Sequence, residues 1–317
     1  MRSNQNPLKL INILADGEFH SGEELANLFG ITRAGINKYI KVLREWGIIL
    51  SSVQGKGYCL SSPIDLLDKT KIDNYYGTDS HVEVLPIIDS TNQYLLNNID
   101  RLTTGDSCVA EFQSKARGRR GRQWFAPFGS NLYFSMYWRL DQGIAAAMGL
   151  SLVVGIVMAD TLREISGQDI KVKWPNDLYL DDQKLAGILV ELAGKTGDCA
   201  HVVIGIGVNL MMTNPDPNIV NQKWANLGKV DRNLLVAKVA KNLKTKLRDF
   251  EKHGLTPFLN DWQRLDNFVN RPVKLLIGDN VIRGIAKGIN EQGALLLEQN
   301  GVTKAFIGGE ISLRSDE

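Results

Sequence analysis

The apolar and polar positions divide this 317-residue chain into three stretches. Over the first sixty residues the apolar positions recur at helical spacing. Leu8, Ile11 and Leu14 predict a short helix after Pro7, stopped by Asp16-Gly17. Ser21-Gly22-Glu23-Glu24 has the form of a capping box, and Leu25 and Leu28 are expected to give the second helix its buried face. Gly30 permits a tight turn. Thr32 then caps a third helix, with Ile36, Ile40 and Leu43 on one side and Ala34, Asn37, Lys38 and Lys41 on the other. Short strand-like runs at 48–53 and 58–60 flank Gln54-Gly55-Lys56-Gly57, a turn that its glycines permit. Together these elements predict a winged helix-turn-helix over residues 1–64, ending at Ser61-Ser62-Pro63.

Strand patterns dominate the next stretch. Leu132, Phe134, Met136 and Trp138 alternate with Tyr133, Ser135 and Tyr137, the period of a half-buried strand. Further runs lie at 82–88, 108–112, 170–174, 178–180, 185–192 and 202–208. The short links Asp181-Asp182-Gln183 and 194–198 predict antiparallel neighbours. A long apolar helix is expected over 145–162, beneath the sheet, and an amphipathic one over 233–253. The fold class is α+β, with a mixed or antiparallel sheet, over residues 65–270. After Gln263-Arg264-Leu265 the pattern shortens to strands at 273–277, 282–287, 294–298 and 303–306, which predict a small β-barrel over residues 271–317.

Composition narrows the function. The chain is 44% hydrophobic and 23% charged, as a globular protein is. Its formal charge is only +2, so a nucleic-acid role must rest on local basic patches. Cys59, Cys108 and Cys199 lie far apart, and the four histidines are equally scattered. No zinc site, other bound metal or disulfide framework is expected. The N-terminus lacks a signal-peptide pattern, and no apolar run is expected to be long enough to span a bilayer. The expected compartment is a reducing cytoplasm, with no membrane partner.

The third helix suits a DNA major groove. Ala34 and Gly35 let the backbone approach base edges, and Thr32, Arg33, Asn37 and Lys38 can donate to phosphates or bases. Lys56 at the wing tip can reach a phosphate. The plainer alternative is a helical domain for protein contacts, and the glycine-flanked basic wing favours DNA.

One segment after a strand, residues 113–124, runs Gln-Ser-Lys-Ala-Arg-Gly-Arg-Arg-Gly-Arg-Gln-Trp. Its glycines allow close backbone approach, and its guanidiniums suit phosphate or carboxylate. A solvated basic loop is the commoner fate of such a run, but Trp124 and Phe125 are costly on a free loop. Gly194-Lys195-Thr196 resembles the end of a phosphate-binding loop; the required earlier glycine is Leu189, and a strand follows instead of a helix. Asp89-Ser90-Thr91-Asn92 sits at a strand end, either capping a helix or meeting a ligand. Lys173-Trp174-Pro175-Asn176-Asp177 breaks two strands. Lys184 enters a strand, as an edge charge or as a cation facing a pocket.

Together with Lys184-Leu185-Ala186-Gly187-Ile188-Leu189 and Gly205-Ile206-Gly207-Val208-Asn209, these motifs resemble, in order, the bifunctional biotin protein ligases that double as biotin operon repressors. The resemblance runs from the N-terminal domain to the C-terminus. It implies a C-terminal SH3-like domain. It also implies that biotin and ATP, with Mg²⁺, form biotinyl-adenylate, which then acylates a lysine of the biotin carboxyl carrier protein. Biotin is then expected against Ser90, Thr91, Asn92, Gln113, Arg117, Gly118, Arg119 and Lys184. The nucleotide is expected near Arg122, Trp124, Asn176, Asn209 and Trp224. Arg119 and Lys184 are the catalytic candidates, since attack on the α-phosphate accumulates negative charge. Trp124 can exclude water from the mixed anhydride. The adenylate is expected to act as corepressor, favouring a homodimer that binds operator DNA through two half-sites. Two rivals stay open: a lipoate-type ligase of related fold, and a biotin-sensing transcription factor that consumes no ATP. The arginine-rich segment opposes the first, and its retention together with Lys184 opposes the second. The family usually carries glycine where this chain has Ala116.

Overall fold

A computed structural model describes residues 4–61, 64–77, 80–194, 199–308 and 311–316. The N-terminal unit has α1 (Gln5–Leu14), α2 (Gly22–Phe29) and α3 (Arg33–Glu45), then the hairpin β1 (Leu50–Val53) and β2 (Gly57–Leu60). Both halves of the Ser21–Glu24 capping box form, and Thr32 Oγ1 accepts from Gly35 N. Ile36, Ile40 and Leu43 are buried as their spacing predicts. Leu28 is not: it is 64% exposed. The short α2 packs through Leu25 and Ala26, with Phe29 partly covered, and Leu28 falls outside that face. Of the expected boundary, Ser62 and Pro63 lie outside the described residues.

The central unit holds α4 (Lys69–Tyr76), β3 (Val82–Ile88), α5 (Thr91–Leu96), β4 (Ser107–Gln113), β5 (Asn131–Leu140) and α6 (Leu150–Ser166). There follow β6 (Lys171–Lys173), β7 (Asp177–Leu180), β8 (Gln183–Ala193), β9 (Ala200–Asn209), α7 (Arg232–His253) and α8 (Leu259–Leu265). The sheet order is β3-β4-β5-β9-β8-β7-β6. It is mixed: β3 and β4 run parallel, because the chain crosses over through α5, and every other pair is antiparallel. The turn before β8 is tight, with Asp181 and Asp182 both left-handed at φ 50° and 58°. Residues 195–198 of the second expected turn lie outside the described residues, but β8 and β9 pair antiparallel up to Ala193–His201.

The apolar helix starts later than its pattern suggests. A 3₁₀ turn covers Ile144–Ala147, Gly149 is left-handed at φ 82°, and the α-helix begins at Leu150. One correction concerns the membrane: Ile144–Ser166 does have the length and hydropathy of a span. In the fold α6 serves as a core helix, with Val153, Val154 and Met158 fully buried.

The C-terminal unit is a five-stranded antiparallel sheet: β10 (Pro272–Ile277), β11 (Asn280–Ile289), β12 (Leu295–Gln299), β13 (Val302–Phe306) and β14 (Ile311–Ser315). Its order is β13-β12-β11-β10-β14. The pattern of apolar residues does not reveal β14, which carries only one fully buried side chain, Leu313.

The winged helix is tied to the central sheet. Trp46 stacks on Phe128 at 5.7 Å between centroids and meets Phe112 at 6.1 Å, and Phe128 N donates to Trp46 O. The connecting segment is held by buried polar groups. Arg232 donates to Asp65 O and to Glu111, Glu111 accepts from Leu67 N, and Asn233 bonds both Leu66 O and Asp68 N.

Candidate active site and DNA-binding surface

The arginine-rich segment is a small hairpin. Trp124 N donates to Ala116 O, Gly118 N donates to Arg122 O at 2.7 Å, and Arg117 pairs with Gln123. Arg120 and Gly121 turn the tip, both left-handed. For arginine this conformation costs about 1–2 kcal/mol. Ala116 is not left-handed. It is buried with Ala126 and Tyr133, against Trp124.

The hairpin roofs a cavity of about 520 Å³, and all the ligand residues expected from the sequence line it. At one end Ser90 caps α5, and Thr91 N and Oγ1 both donate to Gln113 Oε1, at 2.8 and 3.0 Å. This contact fixes the Gln113 amide, so its N–H group is left for the cavity. Asn92 is placed differently. Its amide accepts from Ser135 Oγ and donates to Leu189 O and Glu191, so its polar atoms are engaged within the protein. Gly205 makes room for it, since a Cβ there would collide with the Asn92 amide.

Trp124 packs against two cross-strand glycines, Gly187 of β8 and Gly207 of β9. A Cβ at Gly207 would stand 2.7 Å from the indole. Lys184 Nζ sits 5.5 Å from the ring centroid. Trp224 bridges the start of β8 beside Lys184, and Asn209 holds that junction through Lys184 O and Ala225 O.

At the other end the cations converge. Arg119 Nη1 donates to Asn176 Oδ1 at 2.7 Å. Burial disfavours the Arg119 charge, and Asp177 supports it. Asp177 carries no spacing signal of its own in the sequence, and only the packed site gives it a role. It lies 2.7 Å from Lys184 and 3.6 Å from Lys173. Burial opposes its ionisation, yet the two lysines hold it below the usual carboxylate range. Burial pulls Lys173 down to about 8, and its ammonium also donates to Tyr179 Oη. Arg314, from β14, also lines the cavity and bonds Gln222. No motif signal marked Arg314, because only the packing of the third unit brings it there.

On the N-terminal unit, Arg33, Ala34, Asn37, Lys38 and Lys41 are exposed along α3. Tyr58 of the wing donates to Asn37 Oδ1 at 2.5 Å, which locks helix and wing together. Lys56 stands 5.8 Å over Phe19, and Thr32 is engaged as the helix cap.

Residues 84–209 match the biotin/lipoate A/B protein ligase family, 268–314 the biotin protein ligase C-terminal domain, and 8–59 a helix-turn-helix domain. The bifunctional ligase/repressor BirA of Salmonella typhimurium is 58% identical, and that of Escherichia coli 57%, each over the full length of both chains. This chain belongs to the bifunctional biotin ligase/repressor family. A solved member of the wider ligase group, the Aquifex aeolicus biotin protein ligase in complex with biotin and ATP, superposes with TM-score 0.65 at 29% identity. It covers 74% of this chain and 99% of its own. A bifunctional ligase/repressor couples an enzyme to a DNA-binding unit, and both parts are present here on one chain.

Proposed function

We infer that this protein is an ATP-dependent biotin ligase that is also a transcriptional repressor. The observation that carries the enzyme is that Arg119, Lys184 and Asp177 line the same cavity as the Thr91–Gln113 pair. The neutral ureido ring of biotin suits the Ser90–Gln113 end, where hydroxyl and amide groups offer paired hydrogen bonds. Its carboxylate then points to the cationic end. Attack on the α-phosphate of ATP forms the acyl-phosphate bond and releases pyrophosphate. Charge builds on the phosphate oxygens, where Arg119 and Lys184 stabilise it. Trp124, seated over its glycine cradle, excludes water from the adenylate. The acceptor lysine of the carboxyl carrier protein then attacks the acyl carbon and AMP leaves.

The same reading assigns Arg122, Asn176, Asn209 and Trp224 to the nucleotide, and Arg117 and Gly118 to biotin. Among the described residues no group of three His, Cys, Asp or Glu side chains converges, and Asp177 already meets two lysines, so the side chains form no all-protein Mg²⁺ cage. Mg²⁺ is instead proposed to enter on the phosphates of ATP.

For the repressor we propose that α3 reads the operator through Arg33, Ala34, Asn37 and Lys38, with Thr32 and Lys56 near phosphates. A homodimer, favoured by the adenylate, presents two such helices. The units are residues 1–64, 65–270 and 271–317. The three free cysteines suit a reducing cytoplasm. The test is to incubate the protein with biotin, ATP and a carrier domain, and to detect biotinylated carrier. Absence of labelled carrier would overturn the enzyme. Substrate-dependent pyrophosphate exchange separates biotin from lipoate, and an operator shift with and without biotin and ATP tests repression.

A further inference from the structure

Glu191 has no part in the chemistry above, yet it joins the fixed floor of the cavity to its roof. It stands on β8, opposite Val203 of β9. One carboxylate oxygen accepts from Asn92 Nδ2 at 2.8 Å. Both oxygens lie 3.2 Å from Arg117 Nη2, on the first limb of the hairpin. Arg117 Nη1 donates in addition to Gln93 Oε1, on α5.

The two partners of Glu191 differ in how closely the fold encloses them. Asn92 is 4% exposed and held by Ser135, which is itself fully buried, and by the close approach of Gly205. Arg117 is 39% exposed on a hairpin closed by few backbone bonds. Glu191 therefore transfers the fixed position of Asn92 to Arg117. A carboxylate beside a site for anionic substrates is electrostatically unfavourable unless it serves a cation. Here it faces Arg117, and a bond between two charged groups is stronger than one to a neutral amide.

We propose that Glu191 is a positioning residue for biotin, holding the arginine hairpin over the cavity through Arg117. The proposal rests on the ligase reading. It makes Arg117 more than a ligand contact: its guanidinium is oriented before biotin arrives, which lowers the ordering cost of binding. Glu191 acts on the roof and not on the reacting atoms, so biotin binding is affected while the cations of the transition state keep their places.

The test uses the whole protein and biotin-dependent pyrophosphate exchange. Exchange by the unaltered protein establishes the ligase reading independently. Glu191→Gln keeps an acceptor for Asn92 and removes the charge that holds Arg117. It is expected to raise the KM for biotin on the order of tenfold, with kcat changed less than about threefold. Its melting temperature should stay within about 2 °C of the parent, because an exposed pair contributes little to stability. Glu191→Gln combined with Arg117→Ala should raise KM no more than Arg117→Ala alone, since without Arg117 the carboxylate has no guanidinium left to hold. Additive effects of the two changes would overturn the proposal. So would an unchanged KM in Glu191→Gln, or a fall in kcat with KM unmoved.

Discussion

The indole of Trp46 and the ring of Phe128 stack with their planes 14° apart, so the DNA-binding unit and the ligase sheet meet through aromatic rings. Trp46 follows α3 directly, and Phe128 follows the hairpin that roofs the cavity. Phe112, the third ring, precedes Gln113. Trp46→Ala is expected to destabilise the protein by about 3 kcal/mol, as large aromatic truncations in packed sites do. Urea unfolding measures this, and a loss under 1 kcal/mol would show that the stack carries little.

A chain beginning at Ile64 should lose operator binding and still form biotinyl-adenylate. Its ligand affinity should drop, because Phe112 and Phe128 lose their partner next to Gln113 and reciprocal coupling links the sites. Pyrophosphate exchange and a gel shift test the two halves. No exchange from a folded truncated chain would mean that the N-terminal unit completes the active site.

Arg119→Ala and Lys184→Ala should each slow biotin-dependent exchange about a hundredfold or more. Loss of one preorganised partner of a developing charge costs on the order of 2.7–4 kcal/mol. Near-parental rates in both variants would remove these residues from catalysis.

Ala116 has a right-handed or extended backbone and a buried methyl group, so glycine there relieves no strain. Ala116→Gly should leave biotin affinity unchanged or weaken it by less than about 1 kcal/mol, through added freedom in the open hairpin. Tighter binding in a biotin titration would contradict the conformation seen here.

Asp266 gives a pH signature. It is buried between Trp262 and Phe268, and burial raises it to about 6 against the hydrogen bonds from Phe268 N and Trp262 Nε1. A raised folded value means that the folded chain binds the extra proton between about pH 4 and pH 6. The resulting stability is present below that window and lost as pH rises through it. Asp266→Asn should flatten this fall in urea unfolding free energy, and an identical pH slope in both proteins would refute the assignment.

Much of the architecture was legible in the chain. Capping signals at Ser21 and Thr32 and the glycine-flanked wing act locally, so sequence alone determines those elements. The alternation from Leu132 marks the strand β5 but not its burial: Tyr133, Ser135 and Tyr137, expected on an open face, are buried because α5 and the arginine hairpin cover that side. The residues that line the cavity were legible as motifs, through resemblance. The tertiary structure decided the rest. It turned Leu28 outward, because inward faces are set by what packs on a helix. It made the arginine-rich segment a hairpin, and it engaged Asn92 with Ser135 and Glu191, 43 and 99 residues away in sequence. It carried Arg314 into the cavity from the far end of the chain. Contacts between distant segments leave no period or spacing behind, so only the packed fold could place Glu191, Asp177 and Arg314 around one site.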